Sequence, residues 1–204
     1  MGNVSHVPVL EAPVVAGLTA QEERIVDAAL RCYARWGVAK TTLDDVARES
    51  GYSRATVYRF VPGGKDGLLD SVVAAEVARA FAVIGRRLDA ATDLEDLLVG
   101  GISTAANLLG GHPALQYLLR HEPEVVLPRI SFHEADAVLG TVSAFAAPYL
   151  ARWVDVSVDA PRAAEWVARI VLSYICCPSA SVDLGSEESV RNLVRTFVLP
   201  GLVN

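Results

Sequence analysis

Cysteine is scarce in this sequence: Cys32, Cys176 and Cys177 are the only three in 204 residues. An odd, sparse set excludes a disulfide framework and points to reduced thiols. Cys176 and Cys177 are adjacent, could pair only through a strained ring, and read as two small buried residues. Long apolar runs are missing too. None approaches the roughly 18 residues needed to span a bilayer, and the stretch from Val72 to Ile84 is broken by Glu76 and Arg79. The N-terminus lacks a basic segment followed by an uninterrupted apolar one, so no secretion signal is expected. Ser5 stands one position early for a myristoylation site. The expected location is the cytoplasm.

Enzyme signatures are likewise absent. There is no G-x-S-x-G elbow, no H-E-x-x-H and no dinucleotide fingerprint, and Gly63-Gly64-Lys65 lacks the second P-loop glycine and the following hydroxyl. His112, His121 and His133 lack the close spacing of zinc ligands. No catalysis, cofactor or metal is expected. Strands are missing as well: Val154 to Val158 alternates, but a lone strand cannot satisfy its backbone and reads as loop. There is no repeat and no low-complexity segment.

What is present is helix. Hydrophobic residues make up 52% of the chain and charged residues 21%, enough for a sizeable core and too apolar for general disorder. The net charge of -6 argues against binding nucleic acid over the whole surface. The charge is uneven, however. From Thr19 to Lys65 there are 8 Lys/Arg against 6 Asp/Glu, and from Gly51 to Lys65 there are Arg54, Arg59 and Lys65 with no acid. A small basic face on an acidic body suits a protein that touches a polyanion at one end.

Residues 1–18 show no period and read as a flexible tail. Thr19 and Glu22 form a capping box, and Ile25, Ala28, Ala29, Cys32 and Trp36 repeat at helical spacing up to Gly37. A second cap at Thr42, with Asp45 three residues on, opens a helix to Ser50. Gly51 supplies the turn and Ser53 caps a third helix bearing Val57 and Phe60. After Pro62-Gly63-Gly64, a long amphipathic helix runs from Lys65 to about Leu88. Further helices are expected over about 94–109, 113–121, 130–152 (kinked at Pro148), 159–177 and 186–200, with at most one turn over 122–128.

Two short helices joined by a glycine turn make a helix-turn-helix. The second helix carries Arg54, Thr56, Tyr58 and Arg59 outward and Val57 and Phe60 inward. At this point the sequence resembles the TetR-type transcriptional regulators. The resemblance runs from Thr19 to about Leu69 and rests on Gly37, Thr41-Thr42, Val46-Ala47, Gly51, Ser53, Thr56, Tyr58 and Lys65. It implies an all-α protein: a three-helix DNA-binding domain over 19–65 and a helical ligand-binding and dimerisation domain over 66–204.

The resemblance also implies roles. Lys40 and Thr42 would meet the phosphate backbone. Ser53, Arg54, Thr56 and Arg59 would face the major groove, with Arg54 as the guanine reader. Tyr58 and Lys65 would hold phosphates. One departure matters: where the family places an aromatic three residues after the tyrosine, this chain has Val61, with Phe60 one position earlier. Either Phe60 turns inward in its place or Val61 packs alone.

The remainder is expected to bind a small, apolar effector and a second copy of the chain. Tyr117, Arg120, His121, Phe132, Tyr149 and Trp153 are the candidate pocket residues. Val190, Leu193, Val194, Phe197 and Val198 form an apolar stripe, matched by Ala164, Val167, Ile170, Val171 and Tyr174 on the helix before. The family pairs such helices into a four-helix bundle; the alternative is that both stripes are core of one chain. The functional expectation is an operator-bound repressor released by its effector. The alternative is a helical dimeric binding module without DNA binding.

Overall fold

Each of the first three helices begins where a hydroxyl takes up a backbone N–H. The Thr19 hydroxyl accepts from Glu22 N, the Thr42 hydroxyl from Asp45 N and the Ser53 hydroxyl from Thr56 N. In the first two, the acid at the third helical position reaches back to the cap residue's own N–H, which completes a capping box. The computed structural model describes the backbone of residues 18–130 and 132–202, and the side chains of 129–135 fall outside it. Residues 1–17 of the tail expected over 1–18, and the Phe132 side chain, therefore lie outside the described residues.

The helices are α1 (Ala20–Lys40), α2 (Leu43–Ser50), α3 (Arg54–Phe60), α4 (Gly64–Asp89), α5 (Leu94–Gly110), α6 (Pro113–His121), α7 (Pro123–Ile130), α8 (Phe132–Leu150), α9 (Ala160–Cys176) and α10 (Glu187–Leu193). No strand occurs among the described residues, and none of their helices is long and apolar enough to cross a membrane. The all-α expectation is met, including the loop over Val154 to Val158.

Among the described residues, two large hydrophobic cores divide the chain, with a small third contact of Leu139 of α8 against Ala168 of α9. The first gathers Ile25, Val26 and Cys32 of α1, Val46 of α2, Val57 of α3, and Leu68, Leu69, Val72 and Ala75 of α4, with Ala114 of α6 closing it. The second gathers Leu97, Leu98 and Ile102 of α5, Ala147 and Leu150 of α8, Ala164 and Val171 of α9, and the C-terminal Val190, Leu193, Val194 and Val198. Leu88, at the far end of α4, belongs to this second core. The first core thus reaches past residue 65, and α4 serves both.

Two elements differ from expectation. α7 has eight residues rather than a single turn. The C-terminal helix gives way after Leu193 to a π-helical turn over Val194–Val198 and a short 3-10 turn ending at Gly201. A π turn rotates less per residue than an α turn. Val198, a member of the expected stripe, is buried at its centre, while Phe197 consequently swings out to 68% exposure. The adjacent thiols also separate: Cys32 is buried and Cys176 half-buried, but Cys177, read as buried, is exposed at the end of α9. Burial pushes the Cys32 and Cys176 thiols up from their ordinary range.

Candidate nucleic-acid interface

The turn between α2 and α3 is set by Gly51, whose backbone is left-handed (φ 76°, ψ 12°) and whose N–H closes on Ala47 O at 3.1 Å. A side chain with a Cβ adopts this conformation only at a cost. The Ser50 hydroxyl donates to Ala47 O and accepts from Tyr52 N, which fixes the start of the turn. α3 is then pinned from beneath by Val57, fully buried, and Val61, 1% exposed. Phe60 is half-buried against the same core. Val61 therefore fills the inward position after the tyrosine, and Phe60 lies alongside it.

This anchoring leaves the opposite face of α3 open. Arg54, Tyr58 and Arg59 are exposed and Thr56 is half-buried, while Ser53 at the cap is exposed. Lys40 and Thr42, before α2, and Lys65, on α4, are exposed as well. Several of these groups already have partners. The Thr42 hydroxyl is held by Asp45 at 2.6 Å, and that hydrogen bond keeps the Asp45 carboxyl below its ordinary range. The Ser53 and Thr56 hydroxyls share a hydrogen bond at 2.9 Å. Arg54 is ion-paired with Asp44 of α2. The other Asp44 oxygen, Oδ1, is buried with no hydrogen-bond partner among the described residues.

The Lys65 ammonium donates to Ala39 O at 2.8 Å. That contact draws the start of α4 onto the segment between α1 and α2. The same segment holds a feature the sequence did not reveal. Gly37 breaks α1 with φ 79°, ψ 174°. The N–H groups of Val38 and Ala39, freed by the break, donate to the Glu122 carboxylate at 2.7 and 3.2 Å. Glu122 is 84 residues from Val38, so no local pattern could pair them. Asp44 was equally hidden, because an acid in the first turn of a helix needs no partner beyond the helix dipole.

The candidate effector residues fall into separate groups. Tyr117 stacks on His121 along α6, with ring centroids 4.3 Å apart. Tyr149 of α8 joins Phe145, which stacks on Phe81 of α4 at 4.1 Å, where the absence of a side chain at Gly85 admits the Tyr149 hydroxyl. Arg120 is exposed, and Trp153 is 40% exposed in the turn after α8. A shallow groove between α1 and α6 is lined by Leu30, Arg31, Ala34, Arg35, His112, Pro113 and Ala114, none of them among the candidates.

The candidate dimer stripe is largely taken up inside the chain. Val190, Leu193, Val194 and Val171 are buried in the second core, and Val167, Ile170 and Tyr174 pack partly against it. Val167, Ile170 and Tyr174 are half-buried and keep part of their surface exposed. Phe197 remains, at 68% exposure, together with Trp166 of α9 at 43%, which lies outside the stripe.

Comparison with known proteins bears on the whole arrangement. Residues 25–72 match the family described as bacterial regulatory proteins, tetR family. An uncharacterised helix-turn-helix-type transcriptional regulator of Mycobacterium tuberculosis is 25% identical over 180 residues, covering 87% of this chain and 83% of that one. The fold resembles that of the TetR family repressor AlkX from Dietzia sp. strain DQ12-45-1b, implicated in biodegradation of n-alkanes (TM-score 0.65, 21% identity, 88% and 98% of the chains covered). It also resembles the transcriptional regulator FadR from Bacillus subtilis, solved in complex with stearoyl-CoA (TM-score 0.61, 17% identity, 85% and 97% covered).

Proposed function

We propose that this member of the tetR family of bacterial regulatory proteins is a homodimeric cytoplasmic repressor that a small apolar effector releases from its operator. The observation that carries the DNA-reading half is the exposed outer face of α3, with Arg54, Tyr58 and Arg59 held outward by Val57 and Val61 beneath. In this reading, residues 19–65 contact DNA and 66–204 bind the effector and a second copy. Ser53, Arg54, Thr56 and Arg59 face the major groove; Lys40, Thr42, Tyr58 and Lys65 meet phosphates, which position the protein without specifying sequence.

A single helix-turn-helix reads only a few base pairs, and a two-fold dimer doubles the site. The effector half draws support from the aromatic group Phe81, Phe145 and Tyr149 between α4 and α8, and from the relatives. FadR of Bacillus subtilis was solved with stearoyl-CoA and AlkX is implicated in n-alkane biodegradation. A hydrocarbon-bearing molecule is the chemistry this suggests. An effector that binds the DNA-free form better shifts the dimer off its site.

Selection of genomic fragments bound by the full chain tests the reading. A palindromic site is expected, lost on combining Arg54→Ala with Tyr58→Phe and released by long-chain acyl-CoA. Wild-type affinity in that double variant would remove the groove assignment. Indifference to acyl-CoA and to free fatty acids alike would remove the effector class.

A further inference from the structure

Glu122 lies immediately after α6, the helix that carries the Tyr117–His121 stack, and its own N–H closes that helix on Leu118 O at 2.8 Å. Its side chain reaches across to α1, against which α6 packs. The carboxylate reaches Val38 N and Ala39 N, and the residue is only 9% exposed. These two donors are available because Gly37 interrupts α1, which leaves the next turn with the unpaired N–H groups of any helix start. Gly37 also makes room, since a Cβ there would overlap the carboxylate.

Two more hydrogen bonds hold the same segment. The Thr41 hydroxyl donates to Gly37 O at 2.6 Å, and Lys65 Nζ donates to Ala39 O. The stretch from Gly37 to Thr41 is thus tied to itself, to α4 and, through Glu122, to the end of α6. It contains Lys40 and leads directly into Thr42.

We infer that Glu122 is the positioning residue through which the effector domain sets DNA affinity. Its carboxylate holds the 37–41 segment so that Lys40 and Thr42 stand in register with the phosphates. An effector that shifts the C-terminal end of α6 withdraws the carboxylate and releases the segment. The inference rests on the DNA-binding assignment made above. An ionised acceptor shared by two N–H groups makes stronger hydrogen bonds than a neutral one. Both N–H groups donate to the same oxygen, Oε2, so an amide that keeps its carbonyl there retains both hydrogen bonds without the charge, and Glu122→Gln weakens them while keeping the volume.

The test compares full-length wild type, Glu122→Gln and Glu122→Ala on a duplex recovered by wild-type selection from genomic DNA. Amide exchange at Val38 and Ala39, thermal unfolding, affinity and its salt dependence are measured together. Glu122→Gln is expected to unfold near the wild-type temperature, to lose protection at Val38 and Ala39 while Val57 keeps it, and to bind about 10-fold more weakly, within the usual range of coupling between sites. The slope of log affinity against log salt should shrink by about 0.9 for each phosphate that the variant no longer neutralises, which a merely stabilising residue would not alter.

Reduced protection with wild-type affinity and slope overturns the inference, as does weaker binding with protection intact. Should Glu122→Ala unfold, Glu122→Gln decides alone. If wild type itself recovers no duplex, the regulator reading fails and carries this one with it. If wild type binds and Glu122→Gln binds equally well, only this one fails.

Discussion

The guanidinium of Arg54, at the first position of α3, is ion-paired with the carboxylate of Asp44, in the first turn of α2. The residue proposed to read a guanine is therefore already paired with a neighbour. Exposed ion pairs contribute about 0.2–1 kcal/mol. Asp44→Asn should accordingly raise affinity for duplex DNA by up to about 5-fold, measured by fluorescence anisotropy on operator and on random duplex at one salt concentration. Weaker binding in the variant would mean that Asp44 orients Arg54 rather than competing for it.

A second ion-pair system predicts how stability depends on pH. Asp27 of α1 pairs with Arg79 of α4, Arg79 with Glu76, and Glu76 with His112 Nε2 at 2.7 Å. His112 Nδ1 accepts from Leu115 N, so the neutral ring carries its proton on Nε2 and donates it to Glu76. That hydrogen bond, above all, holds the Glu76 carboxyl below its ordinary range. A depressed carboxyl contributes stability above its unfolded value and loses it as pH falls through its folded one. Glu76→Gln should thus lower the urea midpoint at pH 7, and the gap from wild type should narrow below about pH 4. A gap that stays constant with pH would rule out this linkage.

Val61 occupies a space sized for valine. Val61→Ala deletes two carbons from a site 1% exposed and should cost about 2 kcal/mol in chemical unfolding. Val61→Phe overfills the site, with an expected cost of about 1–3 kcal/mol. Exchanging the pair, with Phe60→Val added to Val61→Phe, should recover part of that loss. If the exchange is worse than Val61→Phe alone, the two side chains do not share one space.

Phe197 and Trp166 are the large apolar side chains left exposed on the C-terminal turn and on α9. If they meet a second copy, Phe197→Glu and Trp166→Glu should each weaken the dimer by about 2 kcal/mol or more without unfolding the chain. Val190→Glu, at a fully buried site, should instead unfold it. Sedimentation velocity with circular dichroism separates the two effects, and a dimer unmoved by either surface change would place the interface elsewhere.

Residues 19–70 were legible because their determinants are local. A threonine cap and its acid lie three residues apart, as Thr19 with Glu22 and Thr42 with Asp45 do, and Gly37 and Gly51 both adopt the positive φ that their placement suggests. The departure at Phe60-Val61 was visible, but which of the two turned inward depended on the packing of α4 beneath. Beyond residue 70 the helices could be read and their faces could not. A stripe such as Val190, Leu193 and Val194 has the same spacing whether it meets its own chain or another. The π turn that expels Phe197 has no sequence signal of its own. Glu122, next to Pro123 in a punctuated stretch, looked like part of a loop, and only the meeting of α1 with α6 gives its carboxylate two donors.

α4 is a single helix of 26 residues, about 39 Å long at 1.5 Å per residue, and its two ends lie in different cores. It behaves as a lever without a joint: neither core can tilt it without moving the other end. A tilt of only about 5°, set where Gly85 admits Tyr149, would carry Lys65, about 30 Å back along the rod, through about 2.6 Å. That is nearly a hydrogen-bond length, enough to part Lys65 from Ala39. The geometry turns a small rearrangement among aromatic rings into a large one beside the turn that precedes α2.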